Sequence, residues 1–404
     1  MTIHDERPAE PASRAAVTCP FDHHSAEIAA DPYPKYAELR AAGGMTWTDA
    51  WGGFWVISSY DLVQRVALDD ATFCSGEGVA LPPAGQSRPL LPIESDPPRL
   101  QVYRKLLNPL FSPGAARRYQ PMIESITAEL VDGFIDRGEV DAAAEFAVAL
   151  PARVTLRLLG MDDSRWEWFL ERIHYGVHQS AVDLDRAVEL ITEVCAAIAE
   201  AYEQRVEEGL TGDDILSILG RAERDGLIND EEMLDMALLM LFGGLDTTGS
   251  TIASALYHLA DRPAERERLL EDPDALDAAL EEILRYEAPV QGLARTVVHD
   301  TELGGHQLKA GEKVWLLWAS ANRDPAKFAD PEQLDLDRDA NPHMSFGVGL
   351  HRCIGSNLAR VIVTAALCEF IGRLPNYQLA PGRSMERYPD SALVFAISKL
   401  PITF

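Results

Sequence analysis

The sequence predicts a mainly α fold with a minor β part, built as a single large domain. Three observations carry this. Between residues 100 and 288 most segments repeat apolar residues at helical spacing. Short apolar, aromatic stretches flank that region and read as strands. No internal repeat, low-complexity tract or linker divides the 404 residues.

Residues 1–30 read as a flexible lead-in and 31–404 as the domain. Residues 35–42 read as a short amphipathic helix closed by Gly43 and Gly44. Residues 45–47 and 53–58 read as strands on either side of a turn at 49–52. Residues 79–96, rich in Pro and Gly, read as an irregular loop. Helices follow at 124–137, 151–159, 185–208 and 213–224. Asn229 and Glu232 have capping-box spacing, and no proline interrupts residues 233–260. A helix of about 30 residues is ~45 Å long and crosses a molecule of this size. Its segment 236–245 is almost wholly apolar, which predicts burial all round. Strands at 294–298 and 313–317, a helix after Cys353 and an extended tail at 392–404 complete the order.

Asp and Glu number 64 against 36 Lys and Arg, a formal charge of −28. That balance excludes a nucleic-acid binder and argues against docking on anionic membranes. The five cysteines (Cys19, Cys74, Cys195, Cys353, Cys368) are odd in number and widely spaced, with no C-x-x-C. Structural zinc, dithiol redox chemistry and a disulfide scaffold are not expected. Residues 1–16 lack an apolar signal core, and no uninterrupted apolar run reaches the ~18 residues that span a bilayer. A soluble, cytoplasmic monomer is expected.

The most informative segment runs from Phe346 through Gly347, Gly349, His351 and Cys353 to Gly355. Glycines ahead of a cysteine allow a tight turn that aims backbone N–H groups at one sulfur. The sequence turns helical from Ser356, which puts Cys353 at a helix N-terminus, where a thiolate is favoured. Gly355 removes a side chain beside the sulfur, leaving room for a flat ligand. The long helix breaks two local rules together: Gly243 and Gly244 cost up to about 1 kcal/mol each in a helix interior, and Asp246 puts a carboxylate in an apolar run. Such breaks often mark function. Asp246 beside Thr247 offers an acid–alcohol proton relay. The structural alternative is a kinked core helix whose threonine hydroxyls bond backbone carbonyls.

The cysteine segment resembles the haem-binding loop F-x-x-G-x-x-x-C-x-G of the cytochrome P450 family, soluble bacterial type. The resemblance runs from about Asp31 onward. Gly243 to Thr247 is similar to that family's (A/G)-G-x-(D/E)-T motif, and Glu282 with Arg285 to its E-x-x-R pair, joined by Arg338. The resemblance implies haem b buried between the long central helix and the cysteine-loop helix. Cys353 would be the axial iron ligand, with Phe346, Gly347 and Gly355 around it. His351, Arg104 and Arg295 would contact the propionates. Asp246 and Thr247 would guide protons, while Glu282, Arg285 and Arg338 would support the haem structurally. Many relatives carry His or another polar residue where this chain has Leu100; Arg99 and Tyr103 are candidates to replace that contact.

The activity implied is a haem-thiolate monooxygenase that inserts one atom of dioxygen into a small hydrophobic substrate, of terpenoid or aromatic type. Electrons would come from NAD(P)H through a separate ferredoxin and ferredoxin reductase. The pocket would be lined by Leu239, Gly243, Val290, Leu293, Ala294 and Val394. Arg88 and His174 are candidate anchors for a polar substituent, although solvent exposure is the expectation for both. Residues 99–118 and 343–368 contain no acid, which suggests a basic island for an acidic ferredoxin. Two other classes stay open: a haem-thiolate enzyme that couples or rearranges its substrate, and a non-catalytic haem sensor.

Overall fold

The central helix, Asp230–Leu259, organises the molecule. In this computed structural model, which describes residues 18–390 and 392–404, both arms of its capping box form. The Glu232 N–H donates to Asn229 Oδ1 at 2.8 Å, and the Asn229 N–H to Glu232 Oε2 at 2.9 Å. The helix packs against Ala149–Leu159, Leu184–Glu207, Ile215–Arg224, Pro273–Glu287 and Ser356–Arg373. Leu241, Leu245, Ile252 and Leu256 are fully buried. By length and composition this helix could cross a membrane, but 72% of its apolar window is buried inside the protein. It is a core helix surrounded by other helices.

The larger sheet has five strands in the order Met45–Thr48, Phe54–Ile57, Lys313–Leu316, Leu293–Val297 and Phe73–Cys74. Only Phe54–Ile57 with Lys313–Leu316 is parallel. The expected strands are thus present, and the expected turn between the first two is a short 3-10 segment, Ala50–Gly52. Pro401–Thr403 forms the middle of a second sheet, between Glu139–Asp141 and Gln378–Leu379.

Two expectations change. Of the lead-in at 1–30, residues 1–17 lie outside the described residues. The remainder is folded: the Cys19 N–H donates to the Trp47 carbonyl at 2.9 Å, and Ala26–Ala30 is helical with Ile28 buried. The helix expected at 124–137 instead spans Pro113–Asp132, started by Ser112, whose Oγ accepts from the Ala115 N–H. Pro121 lies inside it. A proline lacks an N–H and normally argues for a helix boundary, which is why the sequence reading began too late.

Candidate active site around Cys353

The Cys353 loop is closed by its own backbone. The Cys353 N–H donates to the Phe346 carbonyl at 2.7 Å, and Gly347 and Gly349 take φ of +64° and +73°. At Gly349 an added Cβ would lie 2.9 Å from the Ala67 carbonyl oxygen, so glycine is required there twice over. The helix Ser356–Arg373 then begins with Gly355 as its cap residue. Burial pushes the Cys353 thiol up; the Gly355 N–H and then Arg104, Arg352 and Arg360 act in the opposite direction.

Cys353 faces a cavity whose opposite wall is the central helix, through Leu239, Met240, Gly243, Gly244, Thr247, Thr248 and Thr251. The two adjacent glycines do different things. A Cβ on Gly243 would meet nothing within 4 Å, whereas one on Gly244 would lie 2.5 Å from Thr155 Oγ1. Gly243 therefore leaves open space in the cavity, and Gly244 admits the neighbouring helix. Thr247 Oγ1 donates to the Gly243 carbonyl at 3.0 Å, and Thr251 Oγ1 to the Thr247 carbonyl at 3.1 Å. The carbonyl bonding foreseen in the structural alternative is present on a helix that also lines the cavity.

The haem implied by the resemblance fits the residues present. Arg295 is buried, with 4% of its surface exposed, and among the described residues its guanidinium donates only to the Ala294 carbonyl. Burial lowers it to about 10. No carboxylate among the described residues pairs with it, which is the environment an anionic propionate would satisfy. His351 lines the same wall, with its Nε2 3.2 Å from Ser75 Oγ. Burial, then Arg295, lower it to about 4. Arg104 also lines the cavity, where its Nη2 donates to the Arg352 carbonyl at 2.8 Å. At Gly355 an added Cβ would point toward Cys353 Sγ at 3.9 Å, so the face beside the sulfur is flat. Phe346, Gly347 and Leu100 line the cavity as well. Neither candidate replacement for the Leu100 contact is available: Arg99 and the Tyr103 hydroxyl both bond Glu232.

Among the expected pocket residues, Leu239, Gly243, Val290 and Leu293 line the cavity. Ala294 and Val394 do not. The Ala294 side chain is in the core cluster of Phe54, Val56 and Trp315, and Val394 is buried in the main core. Both were assigned by position in the chain, and alternation along an extended segment turns every second side chain away. Of the two candidate anchors, Arg88 is exposed as expected, although ion-paired, and His174 is not exposed. Arg88 makes two bonds to Asp235, at 2.9 and 3.0 Å, and pairs with Glu231. The side chain of His174 is 14% exposed and lies against Asp246.

Asp246 itself is outside the cavity. It is fully buried and faces the helix Trp166–Gln179, with Oδ2 2.9 Å from His178 Nε2 and Oδ1 3.1 Å from His174 Nε2. Burial would push its carboxyl up, but the two histidines hold it well below the usual carboxylate range. Sequence reasoning missed this pairing. The available signal was the i, i+4 spacing of His174 and His178, which puts both on one helix face.

Glu282, Arg285 and Arg338 form a network behind the site. Arg285 donates to Glu282 through Nε and Nη2 at 2.7 and 2.8 Å, and Arg338 Nε donates at 3.0 Å. Arg285 and Glu282 are fully buried. Arg285 also ties down the Asn322, Pro331 and Gln333 carbonyls, which fixes the segment leading to the cysteine loop.

The family model described as Cytochrome P450 matches residues 174–403. The chain is 32% identical to 20-oxo-5-O-mycaminosyltylactone 23-monooxygenase of Streptomyces fradiae, covering 96% of this chain and 91% of that one. It is 32% identical to 6-deoxyerythronolide B hydroxylase of Saccharopolyspora erythraea, covering 94% and 98%. The crystal structure of CYP109E1 from Bacillus megaterium in complex with testosterone superposes with a TM-score of 0.85 at 30% identity, covering 94% and 99%. A cysteine loop facing a glycine-broken central helix, in a chain that matches these proteins over nearly its whole length, makes it a member of the cytochrome P450 family and an oxidoreductase of the monooxygenase type.

Proposed function

We propose that this enzyme hydroxylates a compact, neutral, hydrophobic molecule, of terpenoid or aromatic type, with electrons from NAD(P)H delivered by a ferredoxin and its reductase. The observation that carries the substrate class is the division of the cavity wall. Its cationic groups, Arg104, Arg295, Arg352 and Arg360, belong with Cys353 and the residues that would hold the propionates. Away from them it is lined by Pro92, Ile93, Leu239, Val290 and Leu293, with only threonine hydroxyls for polarity. A charged substrate would lose its hydration there without a partner. The relative whose structure holds testosterone supports a neutral, apolar substrate.

Haem b held by Cys353, with Arg104, Arg295 and His351 at its propionates, supplies the activation of dioxygen when bound. The chain's own residues do the rest. The apolar wall excludes water and orders the substrate. Thr247 presents its hydroxyl at the cavity, where it holds a proton for delivery. The buried Glu282–Arg285–Arg338 network keeps the cysteine loop in register.

Electron delivery by ferredoxin is supported by exposed cations, in fewer numbers than the acid-free windows suggest. Arg99 is neutralised by Glu232, and Arg360 by Glu281. Lys105, Arg117, Arg118 and Arg352 remain exposed and form no ion pair among the described residues. Windows without acid in the chain do not guarantee a surface without acid, because other helices supply carboxylates.

A panel of terpenoids, steroids, aromatic acids and their neutral esters tests the substrate class. Neutral compounds should shift the ferric haem spectrum toward high spin and charged ones should not. A shift given only by charged compounds would overturn the reading.

A further inference from the structure

The polar residues of the central helix face two ways. Thr247 lines the cavity; Asp246, one residue earlier, faces the helix Trp166–Gln179. The two histidine contacts of Asp246 are not alike. His178 makes an aligned hydrogen bond to Oδ2, and its Nδ1 lies 2.8 Å from the Asp390 carbonyl oxygen. Both ring nitrogens of His178 therefore face acceptors, so the Asp246–His178 pair holds one proton more than a neutral imidazole beside a carboxylate. His178 also stacks on Tyr388, with centroids 4.1 Å apart and rings 6° from parallel, which fixes its orientation.

His174 is different. Its Nε2 is close to Asp246 Oδ1 but not aligned with it, and both atoms are buried without a hydrogen-bond partner. Its Nδ1 lies 3.1 Å from Tyr388 Oη. Unlike His178, it reaches a surface cleft of about 220 Å³, shared with Glu167, Glu171, Tyr388 and Ser398. The other charged or titratable groups facing this cluster are Asp390, bonded to His24 at 2.8 Å, and Asp141, which acts on Tyr388.

We propose that His174 is the proton inlet of this enzyme, carrying protons from the surface cleft to Asp246, and that His178 is the positioning residue that holds the carboxylate. This rests on the monooxygenase reading above. The His174 imidazolium breaks its Nε2–H bond and Asp246 Oδ1 gains that proton. The neutral acid is released from its ion pairs and gives the proton to the Thr247 side of the helix. The bare nitrogen of His174 turns to the cleft, breaking the Nδ1 contact with Tyr388 Oη, and takes a proton from solvent. One proton enters, one leaves, and no electrons move.

Two measurements test this. The first needs no turnover: histidine NMR titration of the diamagnetic ferrous carbon-monoxide holoenzyme, with signals identified by their loss in His174→Gln and His178→Gln. In Asp246→Asn the His178 signal should titrate at lower pH than in the parent. An unchanged titration would overturn the proposal. The second measures product formed per NAD(P)H, using the panel compound with the largest spin-state shift. In the parent, coupling should vary across the histidine range, about pH 5 to 8. His174→Gln should lower coupling severalfold and flatten that profile with haem content unchanged, while Tyr388→Phe should keep the profile. A parent-like profile in His174→Gln would overturn the inlet. Thr247→Ala is run alongside: if it fails to uncouple, the proton-delivery reading of Thr247 falls, whereas uncoupling there without an effect of His174→Gln removes the inlet alone.

Discussion

The same substitution at two neighbouring positions should have opposite effects on stability. Replacing glycine by alanine inside a helix gains about 1 kcal/mol from backbone entropy. At Gly243 the added methyl group meets nothing within 4 Å, so that gain stands. At Gly244 it would lie 2.5 Å from Thr155 Oγ1 and 3.0 Å from Thr155 Cγ2. Thr155 is buried on a helix and β-branched, so few rotamers are open to it. Overpacking of this kind costs about 1–3 kcal/mol, which leaves Gly244→Ala less stable than Gly243→Ala by about the same amount. Urea unfolding of the two holoenzymes, followed by far-ultraviolet circular dichroism, measures the difference through the shift in midpoint. Gly243→Ala should also weaken the spin-state response to bulky panel compounds, because the methyl group enters the cavity. A Gly244→Ala protein as stable as Gly243→Ala would refute the division of roles.

Four further outcomes are expected. Glu282→Ala strips a fully buried carboxylate from Arg285, Arg338, Asn341 Nδ2 and the Asp335 N–H, and should cost about 3–5 kcal/mol in the same unfolding assay, with loss of haem. Thr247→Ala should divert NAD(P)H to hydrogen peroxide while leaving the reduced carbon-monoxide spectrum intact, measured as peroxide formed per NAD(P)H. Burial raises the Glu287 carboxyl, but Arg387 and the His258 bond outweigh it and bring it to about 2 from 4.5. A depressed carboxylate stabilises the fold above its unfolded value, so this contribution should vanish as pH falls from about 4.5 to about 2. Glu287→Gln should flatten that acid limb in pH-dependent unfolding. Reversing charge at Arg117 and Arg118 should raise the KM for ferredoxin at low ionic strength, and the effect should shrink with added salt.

Features held within a few turns of chain were legible in the sequence. The capping box of Asn229 and Glu232, the glycines before Cys353 and the Glu282–Arg285 pair each use residues close together, and each forms as the spacing requires. Features made between distant segments were not. Asp246 and Thr247 are adjacent, but consecutive residues on a helix point about 100° apart, and the histidines that Asp246 contacts lie some seventy positions earlier on another helix. Arg99 and Tyr103 looked available for the cofactor until Glu232, brought in by the start of the central helix, took both. Val394 lies in the core and not on the cavity lining for a related reason: no local pattern says which side of an extended segment faces a cavity.

The small sheet around Pro401–Thr403 has a consequence for how the protein is made. Its middle strand pairs with Glu139–Asp141, so those residues leave the ribosome about 260 positions before their partner exists. The strand Phe54–Ile57 waits similarly for Lys313–Leu316. Helices between these points can form as they emerge, but both sheets must close after most of the chain has been synthesised. Long-range pairing of this kind slows folding and leaves unpaired edges exposed meanwhile. Yield of folded protein should therefore respond more to translation rate, temperature and chaperone supply than the short strands alone would suggest.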